Sequence, residues 1–158
     1  MVMRLSTLFL ILCGALLAQK YSGPTPQKPD VPYLLHASKL VETEGGEATE
    51  EKRKEGTAFV VSGVTAKART PMAEPIFVMA SEKLVADRLQ LYKMDVKNGH
   101  REVFIPFKPK RDGPRALRLT VTKLTGNLYK LEAAESLDPG EYSLSPENSN
   151  TVFCFQVY

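Results

Sequence analysis

The side chains that could do chemistry are few and scattered. His36 and His100 stand 64 residues apart. A zinc site needs three or four ligands at close local spacing, and neither histidine has such companions. His36 falls in a predicted first strand and reads as a partly buried strand residue. His100 flanks a predicted turn and reads as a solvent-facing one. Cys154, in "VFCFQ", carries a nucleophile's sulfur. It has neither a helix N-terminus nor a neighbouring cation to lower its pKa, so it reads as an inert thiol on a sheet face, with intermolecular pairing as the alternative. The carboxylates of "ETEGGEATEE" (42–51) lack the Asp-rich order of a calcium loop and read as a solvated charged loop. There is no Gly-rich phosphate loop and no serine nucleophile elbow. One cluster has a binding chemistry. "FKPKRDGPRALR" (107–118) holds Lys108, Lys110, Arg111, Arg115 and Arg118, which could dock an anionic glycan, a lipid headgroup or an acidic partner. The plainer reading is an exposed loop leading into a basic strand.

The elements that must position these residues follow from length and pattern. The chain has 158 residues, enough for one ordinary domain. Residues 1–18 have the form of a secretory signal peptide: Arg4 as a short positive region, an apolar run from Leu5 to Leu12, then small residues Gly14, Ala15 and Ala18. Cleavage is expected after Ala18, with Ala15 as the alternative site. An uncleaved N-terminal anchor and lipidation at Cys13 are the competing readings. Leu12 argues against lipidation, which needs a small residue before the cysteine. Cleavage after Ala18 leaves Cys154 as the one cysteine, so no intramolecular disulfide can form, and stability has to come from a packed core. Without Arg4, 20 basic residues face 18 acidic ones, a balance that argues against nucleic acid as the partner. No long apolar run follows residue 19, so no transmembrane segment is expected after cleavage.

Residues 19–32 carry Pro24, Pro26, Pro29 and Pro32, and read as an extended tether. The alternative is a first edge strand packed on the body. Residues 33–158 read as one β-sandwich domain. "YLLHASKLVETE" suggests one strand or two short ones. "GGEATEEKRKE" (45–55) reads as a mobile loop or a short exposed helix. "GTAFVVSG" and "IFVMAS" are strands, joined by a loop. Residues 81–89 suggest one helical turn or a continuation into the next strand.

Three hairpins can be registered from sequence. Asn98-Gly99 is a strong two-residue turn signal, because both central residues must take positive φ. It places Met94 opposite Val103 and Tyr92 opposite Ile105, so the turn and the apolar pattern agree. On the other face it sets Asp95 against Glu102, a like-charge pair suited to solvent. A three-residue loop at Thr125-Gly126-Asn127 sets Val121 opposite Leu131. A two-residue loop at Asn148-Ser149 sets Leu144 opposite Phe153 and Tyr142 opposite Phe155. The terminal "FCFQVY" then becomes a core strand, with Cys154 and Gln156 facing out beside Ser143 and Glu141. The expected core is Tyr92, Met94, Val103, Ile105, Leu117, Leu119, Val121, Tyr129, Leu131, Tyr142, Leu144, Phe153 and Phe155.

Before that strand pair stands "LDPGEYSLSP" (137–146), where Pro139 and Gly140 turn the chain into a strand and Tyr142 follows at once. The step resembles the tyrosine corner of immunoglobulin-like sandwiches. The Leu-x-Pro-Gly-x-Tyr string is similar to one near the end of secreted bacterial β-sandwich modules such as the PEGA and Cna-B-like groups. More broadly, the signal, the Pro-rich start, the "VKNGHREV" hairpin and the "GEYSLSP…VFCFQVY" close resemble a set of uncharacterised secreted bacterial proteins. These resemblances imply a fold and a binding or structural role. They imply no chemistry.

The expectation is thus an all-β protein, an antiparallel sandwich of immunoglobulin-like or related form with seven to nine strands. It would be exported to the periplasm or the medium, need no cofactor, and act without catalysis. Its first expected role is a protein-interaction or structural module of the bacterial envelope, met through a sheet edge or the 107–118 loop. The alternative is a glycan- or small-molecule-binding protein using a concave sheet face or a loop cluster.

Overall fold

The computed structural model describes residues 20–158, so the signal peptide expected over 1–18, with Cys13, lies outside the described residues. The strands run, in chain order, β1 (Tyr33–His36), β2 (Lys39–Glu42), β3 (Glu44–Glu47), β4 (Thr49–Arg53), β5 (Gly56–Ser62), β6 (Arg69–Thr70) and β7 (Ile76–Ala80). After a single 3-10 turn at Ala86–Arg88 come β8 (Leu89–Lys97), β9 (His100–Pro106), β10 (Leu119–Thr125), β11 (Leu128–Ala133), β12 (Gly140–Pro146) and β13 (Thr151–Val157). The protein is all-β, in two sheets. The smaller has the order β10-β11-β7-β1-β2, and the larger β3-β13-β12-β8-β9-β5-β4 with β6 added beside β13. Pairing is antiparallel except for β6 on β13. Thirteen strands replace the seven to nine expected, chiefly because residues 44–53 form β3 and β4 and not a loop or helix. The charged, glycine-containing composition hid them. Gly45 pairs with Phe153, whose ring lies at contact distance, 3.7 Å from where a Cβ would stand.

β3 and β4 close the larger sheet. Only Ala48 separates them, yet β3 pairs with β13 and β4 with β5, at opposite ends of the strand order. Ala48 N–H donates to the Asn150 carbonyl at 2.8 Å, so even-numbered residues here bond toward β13. Just before β5, the Glu55 carbonyl accepts from Phe107 N–H at 2.9 Å, so odd-numbered residues of β5 bond toward β9 and even-numbered ones toward β4. The register then gives the odd-numbered residues of β4 to β5. Successive backbone groups of a strand point to opposite sides. β13 and β5 therefore flank one bent strand, and the sheet curls into a barrel.

This closure creates two cores. The smaller sheet packs against the outer faces of β8, β12 and β13. There Leu34, Phe77, Met79 and Leu131 meet Leu91, Leu144, Phe153 and Phe155. Inside the barrel lies a second cluster with Ala48, Met94, Val103, Val152 and Cys154, flanked by Phe59, Tyr92 and Ile105. The expected core list thus divides between two compartments. Strands β8, β12 and β13 are covered on both faces, which corrects one expectation. Cys154, Ser143 and Glu141 do not face out; they face the barrel interior and are buried, with Gln156 half-buried on the same face.

Two hairpin registers hold along their strands, and the third holds only beside its turn. Asn98 and Gly99 take φ of 51° and 78°, and Asp95 pairs with Glu102. The β8–β9 ladder stops there, so Met94 and Tyr92 do not pair with Val103 and Ile105; all four meet inside the barrel instead. Leu144 pairs with Phe153 and Tyr142 with Phe155. Val121 pairs with Leu131, but by a different device from the three-residue loop. The turn is the two residues Gly126-Asn127, and a bulge between Lys123 and Thr125 restores the register. The Tyr142 hydroxyl donates to the Asp138 carbonyl at 2.7 Å, closing the Pro-Gly step onto its strand.

The Pro-rich segment is docked at its C-terminal end. Pro32 is buried, and its carbonyl accepts from the Thr43 hydroxyl at 2.6 Å. The Asp30 carboxylate accepts backbone N–H groups of Glu82, Lys83 and Leu84 at 2.8–3.0 Å. Asp30 N–H in turn donates to the Ala80 carbonyl at 2.7 Å.

Candidate functional site

The barrel's two ends differ in chemistry, and the alternation along each strand explains why. One face of every barrel strand points inward. Toward one end these inward positions bring Glu44 from β3, Arg101 from β9 and Glu141 from β12. Arg101 is 1% exposed. Its Nη2 donates to Glu44 Oε1 at 2.6 Å and to the Ser62 carbonyl at 3.0 Å, and its Nε donates to the Gly63 carbonyl at 3.1 Å. Its Nη1 lies 3.7 Å from Glu141 Oε2 and has no hydrogen-bond partner. Glu141 also accepts from the Thr65 hydroxyl at 3.0 Å and Ala66 N–H at 2.9 Å. Glu44 accepts Lys67 N–H at 2.9 Å. The cluster therefore ties the segment after β5 across this end and plugs it.

At the other end the barrel is open. A cavity of about 410 Å³ enters it, with walls from β4, β5, β8, β9, β12 and β13. Phe59, Met94, Val103, Ile105 and Val152 make the apolar lining. The small side chains of Ser143 and Ser145 leave the space that larger residues would fill. Polar groups collect toward the rim: Glu50, Gln90 and the turn residues Asn148–Asn150. The Tyr92 hydroxyl donates to Gln90 Oε1 at 2.5 Å. Burial, with the Glu147 charge adding to it, raises the Tyr92 pKa, so the phenol stays neutral at the wall. The cup is a concave, mainly apolar site with a few polar groups, the usual form of a small-molecule pocket.

Cys154 belongs to the barrel interior, with its Sγ 4.0 Å from Met94 Sδ. Burial pushes its thiol up to about 12. The Arg101 charge pulls the other way, but burial outweighs it and the thiol stays protonated. Ellman's reagent is expected to leave it unmodified in the folded protein and to titrate it only in denaturant. Rapid labelling of the native state would show that the barrel opens. His36 lies far from such company in the fold. It is exposed at the end of β1, on the smaller sheet, and not partly buried as expected. Among the described residues, no group of three or more His, Cys, Asp or Glu is placed to hold a metal ion. The acidic residues of 42–51 are spread over strands: Glu42 pairs with Lys28, Glu44 with Arg101, and Glu50 reaches the cup.

A second ionic cluster lies on the barrel's outside. Glu102 was expected to face solvent against Asp95, yet its side chain is 0% exposed. Arg53 holds it with two nitrogens at 2.8 and 2.7 Å, Lys97 Nζ lies at 2.5 Å, and His100 Nε2 at 3.1 Å. His100 is therefore a partner of Glu102 and not a free turn residue. The bidentate Arg53, then Lys97 and His100, hold the Glu102 carboxyl far below the usual carboxylate range. A carboxyl depressed in the folded state stabilises above its unfolded pKa, near 4.5 here, and that stability is lost as pH falls below it. The drop in thermal midpoint between pH 6 and pH 3 should thus be smaller for Glu102→Gln than for the parent. Parallel pH profiles for the two proteins would show that Glu102 carries no acid sensitivity.

The basic segment leaves the open end. β9 ends at Pro106, one residue past the cup residue Ile105, and residues 107–116 form an irregular loop. Lys108, Lys110, Arg111, Arg115 and Arg118 are all exposed, and Phe107 is 65% exposed. Leu117 bridges to Leu91, and Arg118 leads into β10, on the smaller sheet. Arg118 is thus carried away from the rest of the group by the change of sheet. The cup itself was missed in the sequence because its walls come from strands whose closure no local pattern records. The small Ser143 and Ser145, alternating with Tyr142 and Leu144, were its one local trace. Among the described residues, no helix is long and apolar enough to cross a membrane. No family model matches the chain, and neither a curated protein nor a solved structure matches it.

Proposed function

We propose that this chain is an exported, non-enzymatic binding protein whose barrel holds a small, largely apolar ligand. The observation that carries the reading is the cup: about 410 Å³, walled by six strands of the barrel and sealed at its far end by the Arg101 cluster. Pockets that enclose small ligands run from about 300 to 1,000 Å³, so this one suits a compact or slender molecule. Its apolar walls favour such a ligand over a glycan, which would need more polar partners. Export rests on residues 1–18, and N-terminal sequencing of the protein recovered from its host should read from Gln19.

Binding to the folded state raises stability by mass action, about 2.7 kcal/mol at a ligand concentration of 100 Kd. The first test is a thermal scan of the purified protein against alkyl, aromatic and glycan ligands. A rise of several degrees with apolar ligands, lost in Ser145→Trp, supports the cup. No rise with any apolar ligand sinks it. A protein partner is a second reading, favoured by the exposed loop 107–116 with its cations; among the described residues none of its lysines or arginines forms an ion pair. Cross-linking in the native envelope tests it, with Arg111→Ala and Arg115→Ala as controls.

A further inference from the structure

The rim of the cup is not chemically uniform, and its asymmetry says what kind of molecule fits. Beside the cup lies a second, smaller hollow of about 270 Å³, lined by Lys54, Glu55, Pro106, Phe107, Lys108 and Lys110. The two hollows take consecutive residues of the chain at the end of β9: Ile105 lines the first, and Pro106 with Phe107 the second. The β4–β5 turn supplies the opposite side, held in place by Phe107 N–H donating to the Glu55 carbonyl at 2.9 Å. Three lysines face one carboxylate there, and none of these lysines forms an ion pair among the described residues. Arg111 and Arg115 follow on the same loop. The carboxylate of Glu50, on β4, belongs to the rim of the cup and not to the second hollow, and Glu147 lies in the turn after β12.

We propose that the ligand is an anionic amphiphile: its alkyl chain enters the cup and its phosphate or carboxylate head rests among Lys54, Lys108 and Lys110. This rests on the cup reading above and adds the head group to it. Apolar walls take the chain because burial removes it from water. Ammonium groups take the head through charge-assisted hydrogen bonds, which are stronger than neutral ones. The exposed Phe107 ring lines the second hollow among the lysines and offers apolar surface to the part of the chain next to the head. The recognised feature is the pairing of an apolar tail with an anionic head, so a free fatty acid and an alkyl phosphate are alike in kind.

The test uses calorimetric titration of the purified protein with three probes of one chain length, each below its micelle concentration. They are dodecyl phosphate, dodecyl maltoside and dodecyltrimethylammonium. Dodecyl phosphate should bind at least about ten-fold tighter than the maltoside, with the cation weakest, and its advantage should shrink as salt is raised. Lys108→Glu with Lys110→Glu should remove that advantage while leaving the maltoside affinity unchanged. Ser145→Trp should abolish binding of all three. Equal affinity for the three probes overturns the head-group assignment and leaves the cup standing. Retained preference in the lysine variant overturns it too. Failure of every probe to bind the parent overturns both readings. Thermal unfolding of each variant, cooperative and within a few degrees of the parent, confirms that lost binding is not lost folding.

Discussion

Arg101→Ala is expected to destabilise the protein by about 3–5 kcal/mol, the range for breaking a buried ion pair from one side. The guanidinium is 1% exposed and binds Glu44 at 2.6 Å, with Glu141 at 3.7 Å. Its removal leaves two carboxylates at the plugged end without their cation, and frees the carbonyls of Ser62 and Gly63. Uncompensated charge in a poorly solvated site is the costly outcome, more than the loss of the attraction itself. Urea unfolding should show a lower midpoint at unchanged slope. For a chain of this size each kcal/mol moves the thermal midpoint by about 2–4 °C, so the shift should be roughly 6–20 °C. Arg101→Met with Glu44→Gln and Glu141→Gln should recover much of the loss, because no buried charge is then left alone. A single-variant cost below about 1 kcal/mol would show that water reaches the cluster and that it does not seal the barrel.

Phe155→Ala is the second large effect, again about 3–5 kcal/mol, from the lost transfer free energy and the cavity left behind. Phe155 is 0% exposed between the two sheets. It stacks on Tyr142 at 5.5 Å between centroids and meets Phe77 edge-on at 5.0 Å. Its ring therefore links β12 and β13 of the barrel to β7 of the smaller sheet. Folded domains are stable by only about 5–15 kcal/mol in total, so this one substitution removes a large share. Val64→Ala, at a position 52% exposed, serves as the control and should fall within about 0.5 kcal/mol of the parent. Equal midpoints for the two variants would mean that the sheet-to-sheet core contributes little to folding.

Both positions show where sequence reasoning works and where it stops. Phe155 was legible as core because a turn at Asn148-Ser149 and the alternation of Tyr142, Leu144, Phe153 and Phe155 agree on one register. Arg101 was not, because a charged residue beside a turn ordinarily faces water. Only its position on the inward face of a closed barrel, opposite Glu44 and Glu141, makes it a plug. The same closure buries Cys154, Ser143 and Glu141, which an open larger sheet would have left on its surface. The basic residues 108–115 were legible as a group. Their place beside a cavity mouth was not, since the cavity belongs to six strands and the loop to one.

Much of this architecture is written locally in the chain. Turn residues and period-two alternation set the all-β class, the register of three hairpins and the apolar face of each strand, because these depend on neighbours in the chain and on the pleat. That β3 and β4 are one bent strand paired on both flanks, by β13 and by β5, emerges only when the whole sheet closes. The pairing with β13 joins residues about a hundred positions apart and is carried by backbone groups, which every sequence shares. The second core, the sealed end and the open cup all follow from it.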